Sequence, residues 1–267
     1  MADRRSQDEQ WRDFFAGRIE GIERLQRLFR RIPTAPRCKL CQAPFGGPGG
    51  RVLRFTPFRR WQANSALCNV CTGSLGDVIG GAEIEATFLF ADIRGSTAVA
   101  EHLRPSEFNA ILQRFYRVSA RAVDANGGLV DKYLGDGVVA FFVPVFTGDG
   151  GPAASAIRAG QAILEGVAGS SDSDPWLPVG VGVHTGLTYM GVLGQEGGQL
   201  DLTGVGDVVN TTARLGSDAA AGELLVSLAT AERANLDTAG LERRHLALKG
   251  RAEPVDVVVL GASGAAN

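Results

Sequence analysis

From Trp11 to Ile32 the apolar residues Trp11, Phe15, Ile22, Leu25, Phe29 and Ile32 fall on an a/d-like seam, and Arg12, Arg24, Arg27, Arg30 and Arg31 fall on the other face. That spacing predicts one amphipathic helix, ended by Pro33. The seam is about three heptads long, with Arg18 at one inward position, so a short parallel coiled coil and a helix packed on its own domain both fit it. Farther along, the rhythm shortens. "ATFLFADIRGST" is an apolar, strand-like run that ends at Asp92, before Gly95, Ser96 and Thr97 open a helix. A long amphipathic helix is expected from Pro105 to about Asn126. "VDKYLGDGVVAFF", Val130 to Phe142, then reads as two strands around a Gly-Asp-Gly turn, since glycine supplies the positive φ of a tight hairpin.

The remaining pattern predicts a helix from Gly151 to Ala168, a Ser/Asp-rich loop, and a further hairpin made of "PVGVGVHTG" and "TYMGVLG". "GVGDVVNTTARLGSDA" reads as a turn and helix, followed by the strand "ELLVS", another helix and the closing strands "HLALKG" and "VDVVVL". Strands and helices mixed in this order predict an α+β fold, a mixed or antiparallel sheet with helices on one side. The tail 262–267 is expected to be disordered.

At 267 residues, 45% of them hydrophobic, the chain is long enough for one large domain or two unequal ones. Its net charge of −2 hides an asymmetry: the part up to Gly76 carries +8 and the remainder −10, which points to separate modules. No apolar run is long enough to cross a membrane, and "MADRRSQDEQ" lacks the apolar core of a signal peptide. The expectation is therefore a cytoplasmic protein with no membrane partner, whose four cysteines stay reduced.

Those cysteines form two knuckles, "CKLC" at Cys38 and Cys41 and "CNVC" at Cys68 and Cys71. Each knuckle sets two sulfurs on a tight turn where both reach one ion, so the expectation is a tetrathiolate site holding Zn²⁺, with an iron–sulfur cluster as the alternative. The gap between the knuckles is longer than the usual ribbon spacing and holds "APFGGPGG" and the basic, aromatic "RVLRFTPFRRW". A solvated loop accounts for that stretch more simply than a nucleic-acid contact does. With a short linker around Gly76 to Gly81, the expected organisation is an N-terminal helix over 1–33, a four-cysteine module over 34–76 and a larger domain over 82–261.

Asp92 ends a buried strand and Asp136 tips a hairpin that would lie beside it. Two carboxylates with few other ligands suit Mg²⁺, which keeps waters and takes further ligands from substrate phosphates. Gly95, Ser96 and Thr97 offer backbone N–H groups where a helix begins, a seat for phosphate. Asn210 and Arg214, four apart on a helix, share a face that offers an amide and a guanidinium to an anionic transition state, and Lys249 of "LKGR" adds a cation. Together these describe phosphoryl chemistry on a nucleotide.

"LFADIRGST", "DKYLGDGVVAFF", "VGVHTG", "LTGVGDVVNTTAR" and "LKGR" stand in the order seen in class III nucleotidyl cyclases, and the chain resembles that family from about Ala86 to Leu260. The resemblance implies the ferredoxin-like catalytic domain of that family, working as a head-to-tail homodimer with sites in the interface. One subunit would give Asp92, Ile93 and Asp136 to two Mg²⁺ or Mn²⁺ ions. The other would give Lys132 and Thr203 to the base, Asn210 to the ribose, and Arg214 and Lys249 to the phosphates.

The implied reaction is attack of the substrate's own 3′-oxygen on its α-phosphate with release of pyrophosphate. Lys132 resembles the lysine of adenylate cyclases and favours ATP. Thr203 stands where many carry Asp, and its hydroxyl either donates or accepts, so GTP or a pyrimidine nucleotide stays open. Leu187 replaces a basic residue of some relatives, and His184 reads as structural. A catalytically silent cyclase-fold module is the other alternative, although Asp92, Asp136, Asn210 and Arg214 are all present. The N-terminal module would regulate how the catalytic halves face each other.

Overall fold

In a computed structural model, which describes residues 2–19, 21–32, 34–75, 79–148, 150–168, 176–195, 198–247 and 253–261, the N-terminal seam forms two helices rather than one. These are α1 (Ala2–Phe15) and α2 (Ile22–Phe29). Gly17 and Gly21 between them hold φ of 79° and 76°, a left-handed backbone that glycine adopts freely and that ends a helix. The single helix expected over 11–32 is thus corrected to two. Trp11, Phe14 and Phe15 are buried, Trp11 stacks on Phe15 at 5.6 Å, and Phe14 meets Phe146 edge-on at 6.4 Å. Pro33, Lys249, residues 76–78 of the linker and the tail 262–267 lie outside the described residues.

Next come α3 (Gly47–Leu53), a 3-10 turn at Gly73–Leu75 and the long strand β1 (Gly80–Ile93). They are followed by α4 (Ser96–His102), α5 (Pro105–Ala125), β2 (Leu129–Leu134), β3 (Gly137–Phe142) and α6 (Gly151–Ala168). The chain continues through β4 (Val179–Gly194), β5 (Leu200–Val205), α7 (Asp207–Asp218), β6 (Leu224–Ser227), α8 (Leu228–Arg233), β7 (Arg243–Leu246) and β8 (Val255–Leu260). The strands lie in the order β2-β3-β1-β4-β6-β8-β7, with β5 paired to β4. β1 with β3, β2 with β3, β6 with β8 and β7 with β8 are antiparallel, whereas β4 and β6 are parallel. The sheet is mixed and mostly antiparallel, as expected.

The chain divides into two compact units. One comprises Met1–Ile84, Pro144–Phe146 and Tyr189–Gly204, and the other Glu85–Val143, Thr147–Thr188 and Val205–Asn267. In the second unit the period of two along each strand sends side chains to opposite faces. Leu89, Ala91, Ile93, Val138, Ala140, Val181, Val183, Leu224 and Val226 join Phe115 of α5 and Ile163 and Leu164 of α6 in one core. Leu225 and Val257 point the other way and meet Leu215 and Ala219 at the C-terminal end of α7. Helices therefore cover both faces, which corrects the one-sided expectation.

β4 is a second correction. Sixteen residues run as one strand where a hairpin was expected. Gly186 keeps an ordinary strand φ, and a Cβ there would come within 2.9 Å of Val208. It is a place where α7 comes close, not a turn. Gly182 serves the same helix: a Cβ would lie 2.2 Å from the backbone N of Gly216 and 2.7 Å from Leu215. Backbone cannot yield as a side-chain tip does. Gly182→Ala should therefore destabilise the protein by about 1–3 kcal/mol or more in urea unfolding. Gly222→Ala is the reference, because its φ of 82° strains any side chain but nothing lies within 4 Å of a Cβ.

Candidate active site and metal centre

The β1–β3 ladder opposes Asp92 to Gly137, and the Ile93 N–H donates to the Asp136 carbonyl at 3.1 Å. The two acids thus arrive side by side from strands far apart in sequence. Gly135, at φ 61°, turns the hairpin. A Cβ on Gly137 would lie 2.9 Å from the Phe90 ring and 3.4 Å from Asp92 Oδ1, so the second glycine keeps space for the carboxylate.

Around them, the Arg94 guanidinium donates to the Asp92 carboxylate and to the Ser217 carbonyl of α7, and Ser96 Oγ donates to the Asp136 carboxylate. Burial pushes the Asp92 carboxyl up to about 6, Arg94 opposes the shift, and the Asp136 charge adds to it. Its side chain is only 18% exposed. Two carboxylates brought together in a partly buried place are the oxygen donor set a hard divalent cation fits.

Lys132 lies on β2, half-buried, with its Nζ 3.4 Å from Asp131 Oδ1. Val130 opposes Ala140 and Lys132 opposes Val139, so a bulge falls between them and re-aims the lysine. Gly95 caps α4 with φ 66°, ahead of Ser96 and Thr97. Asn210 and Arg214 occupy one side of α7, the first exposed and the second half-buried. Among the described residues, no hydrogen bond or ion pair joins either to Asp92 or Asp136. Thr203 is buried on β5, within the other unit, and Lys249 lies outside the described residues. His184 Nδ1 lies 2.8 Å from Ser227 Oγ, a structural contact as expected.

Two residues at this site carried no assignment from sequence. Arg94 stands inside "ADIRGST", yet a charge beside a helix start reads as solvated until its carboxylate partner is known. Tyr116 of α5 donates from its hydroxyl to the Gly135 carbonyl and packs on Tyr133 at 4.5 Å, steadying the hairpin tip. Helical periodicity marks its face but not that neighbour.

The four cysteines converge in the first unit. Their sulfurs all lie within 4.8 Å of one another, Cys38 to Cys71 at 3.8 Å and Cys41 to Cys68 at 3.6 Å, and all four are buried. Four sulfurs about 2.3 Å from a central ion stand about 3.8 Å apart in a tetrahedron. The first knuckle closes through Gln42, whose N–H donates to the Cys38 carbonyl at 3.0 Å from a φ of 65°. In the second, the Cys71 N–H donates to the Cys68 carbonyl at 3.1 Å. Hydrogen bonds within the cluster, from Cys41 foremost, pull the Cys38 thiol down, and those from Cys38 foremost push Cys71 up. Thiols crowded in this way share protons unevenly and fit a cation.

Residues 82–261 match the family described as the adenylate and guanylate cyclase catalytic domain. An adenylate cyclase of Anabaena cylindrica is 32% identical over 138 residues, 48% of this chain and 26% of that protein, so the chain spans about a quarter of that relative's length. Among solved structures, the guanylyl cyclase Cya2 superposes with a TM-score of 0.60 at 28% identity, covering 70% of this chain and 98% of that one. The adenylyl cyclase CyaB from P. aeruginosa gives 0.56 at 29% identity, covering 67% and 94%. No helix among the described residues is long and apolar enough to cross a membrane.

The raised Asp92 carboxyl has a testable sign. Between its ordinary value of 3.8 and about 6, the folded chain holds a proton that the unfolded chain has lost. Its contribution to stability is therefore full below pH 4, falls as pH rises to about 6 and is flat beyond. In metal-free protein, Asp92→Asn should remove that decline, gaining on the order of 1–3 kcal/mol over wild type above pH 6. Urea unfolding from pH 4.5 to 7.5 checks this, and added Mg²⁺ should stabilise the wild type more than the variant.

Proposed function

Because the chain belongs to the adenylate and guanylate cyclase catalytic-domain family, we propose that it converts ATP to 3′,5′-cyclic AMP and pyrophosphate in a homodimer. The observation that carries this reading is the β1–β3 register, which brings Asp92 and Asp136 together where Asp92 is largely buried. Asp92, the Ile93 carbonyl and Asp136 would hold two Mg²⁺ or Mn²⁺ ions, which when bound activate the 3′-oxygen and neutralise phosphate charge. The 3′-hydroxyl gives up its proton to water, its oxygen bonds to the α-phosphorus, the bond to the bridging oxygen breaks, and pyrophosphate leaves with that oxygen. Gly95, Ser96 and Thr97 would offer N–H and hydroxyl donors to the phosphates.

Asn210 would orient the ribose, and Arg214 and Lys249 would meet the charge that develops on phosphorus. The hairpin that carries Asp136 leaves Tyr133 and Leu134 about half exposed, at 47% and 51%, apolar surface suited to a second copy. Lys132 would donate to an acceptor nitrogen of adenine, with Thr203 beside the base. A second reading, GTP as substrate, draws on the likeness to a guanylyl cyclase and on the Thr203 hydroxyl, which accepts as readily as it donates.

The four cysteines would hold one Zn²⁺, since their mutual distances match a single ion's shell. A four-iron cluster, with each thiolate on a different iron, would spread them farther. Elemental analysis should find about one zinc per chain. Cys38→Ser combined with Cys71→Ser should abolish it, and a visible absorbance band would mean iron–sulfur instead. For the activity, purified protein with Mg²⁺ or Mn²⁺ should yield cyclic AMP from ATP and no cyclic product when GTP, CTP or UTP is supplied instead. Asp92→Ala should yield none, and Arg214→Ala should lose roughly 10²–10³ in turnover. A different cyclic product would keep the chemistry and overturn the role of Lys132. No product from a folded dimer would leave a binding module.

A further inference from the structure

We propose that the four-cysteine centre is a brace for strand β5, so that metal loading at the cysteines governs how the segment bearing Thr203 is held. β5 pairs with β4 along one edge. On the loop that joins the knuckles, Ala63 accepts a hydrogen bond at 3.0 Å from the Leu202 N–H of β5. Gln62 Nε2 donates to the Gly198 carbonyl, 3.4 Å away, in the turn before that strand. Ala63, Leu202 and Thr203 are all buried, so Leu202 draws its partner from the loop and not from solvent. An exposed edge strand would leave that N–H to water or to another chain.

The same loop is tied to the cysteines at several points. The Lys39 N–H, between Cys38 and Cys41, donates to the Ala66 carbonyl at 2.9 Å. Arg60 bridges to Cys68, and the Trp61 N–H donates to the Leu67 carbonyl at 2.8 Å. Between Arg60 and Cys68 the loop has no helix and no extended strand. Its course depends on where the knuckles stand, and an ion held by all four thiolates would fix the two knuckles to each other. Removing the ion frees four buried thiols to repack, and the carbonyl of Ala63 is five residues from Cys68.

Thr203 follows Leu202 directly, and the consequence for nucleotide binding rests on the base contact proposed for Thr203 above. Ala63 and Leu202 are positioning residues in this scheme, since neither touches substrate. Loss of metal should loosen β5 and raise the KM for ATP more than it lowers kcat, because a contact to the base contributes mainly to binding.

The test is amide hydrogen exchange on the full chain, comparing zinc-replete protein, chelator-stripped protein and Cys38→Ser with Cys71→Ser. Residues 199–205 should lose protection by roughly tenfold or more in both metal-free forms, while the hairpin 129–142 keeps its own. Retained protection over 199–205 in protein shown to be metal-free overturns the brace. Loss shared equally by 129–142 also overturns it, by making the metal a determinant of the whole fold. An unchanged KM alongside selective loss overturns the step from β5 to the nucleotide. Exchange needs no turnover, so an inactive chain would count against the proposed reaction without touching the brace.

Discussion

Six consecutive backbone pairs between β1 and β3 set Thr87 to Asp92 against Phe142 to Gly137, and the candidate chemistry depends on that register. A slip of one residue would turn Leu89, Ala91 and Ile93 out of the core and carry Asp92 to the other face. The register is held by what it buries: Val138, Ala140 and Phe142 on β3 and Leu89, Ala91 and Ile93 on β1 share one core with α5 and α6. Apolar burial thus positions a charged pair that is itself unfavourable. Asp92 sits in an environment that raises its carboxyl to about 6. The surrounding packing overrides that penalty, and the penalty in turn makes a cation welcome.

The opposite face of the sheet solves a different problem. α7, the helix that carries Asn210 and Arg214, approaches β1 and β4 closely, and it does so over glycine. Gly182 of β4 touches the backbone of Gly216, and Gly216 in turn touches Phe90. Side chains larger than hydrogen at these points would push the helix outward. The placement of Asn210 and Arg214 therefore rests on positions that carry no polar side chain.

The first unit uses another source of order. Its cysteine segment, from Thr34 to Leu75, holds six basic residues and no acidic ones, with a single short helix and one 3-10 turn. Little regular structure means few cooperative backbone ladders, so the buried thiols and the aromatic contacts take their place. Phe29 against Phe58 at 5.0 Å and the Trp11–Phe14–Phe15 cluster are the apolar part. A metal bound by four thiolates would contribute to such a segment what a larger core contributes elsewhere.

Local chemistry made much of this legible from sequence. The Gly135-Asp136-Gly137 turn, the helices starting at Pro105 and Gly151, and the two CxxC knuckles follow from φ preferences and spacing within a few residues, and each is where the pattern placed it. The elements misread were those whose signal is shared by two local answers. Gly186 looks like a turn residue but lies inside one strand, because α7 packs over it. The seam from Trp11 to Ile32 looks like one helix but breaks at Gly17 and Gly21, where the backbone turns left-handed. What only the tertiary structure decided is which distant residues meet: Arg94 on Asp92, Tyr116 on Gly135, the bulge that re-aims Lys132, and Ala63 on the strand of Thr203. Backbone preference acts over a turn or two, whereas pairing and burial compare surfaces from across the whole chain.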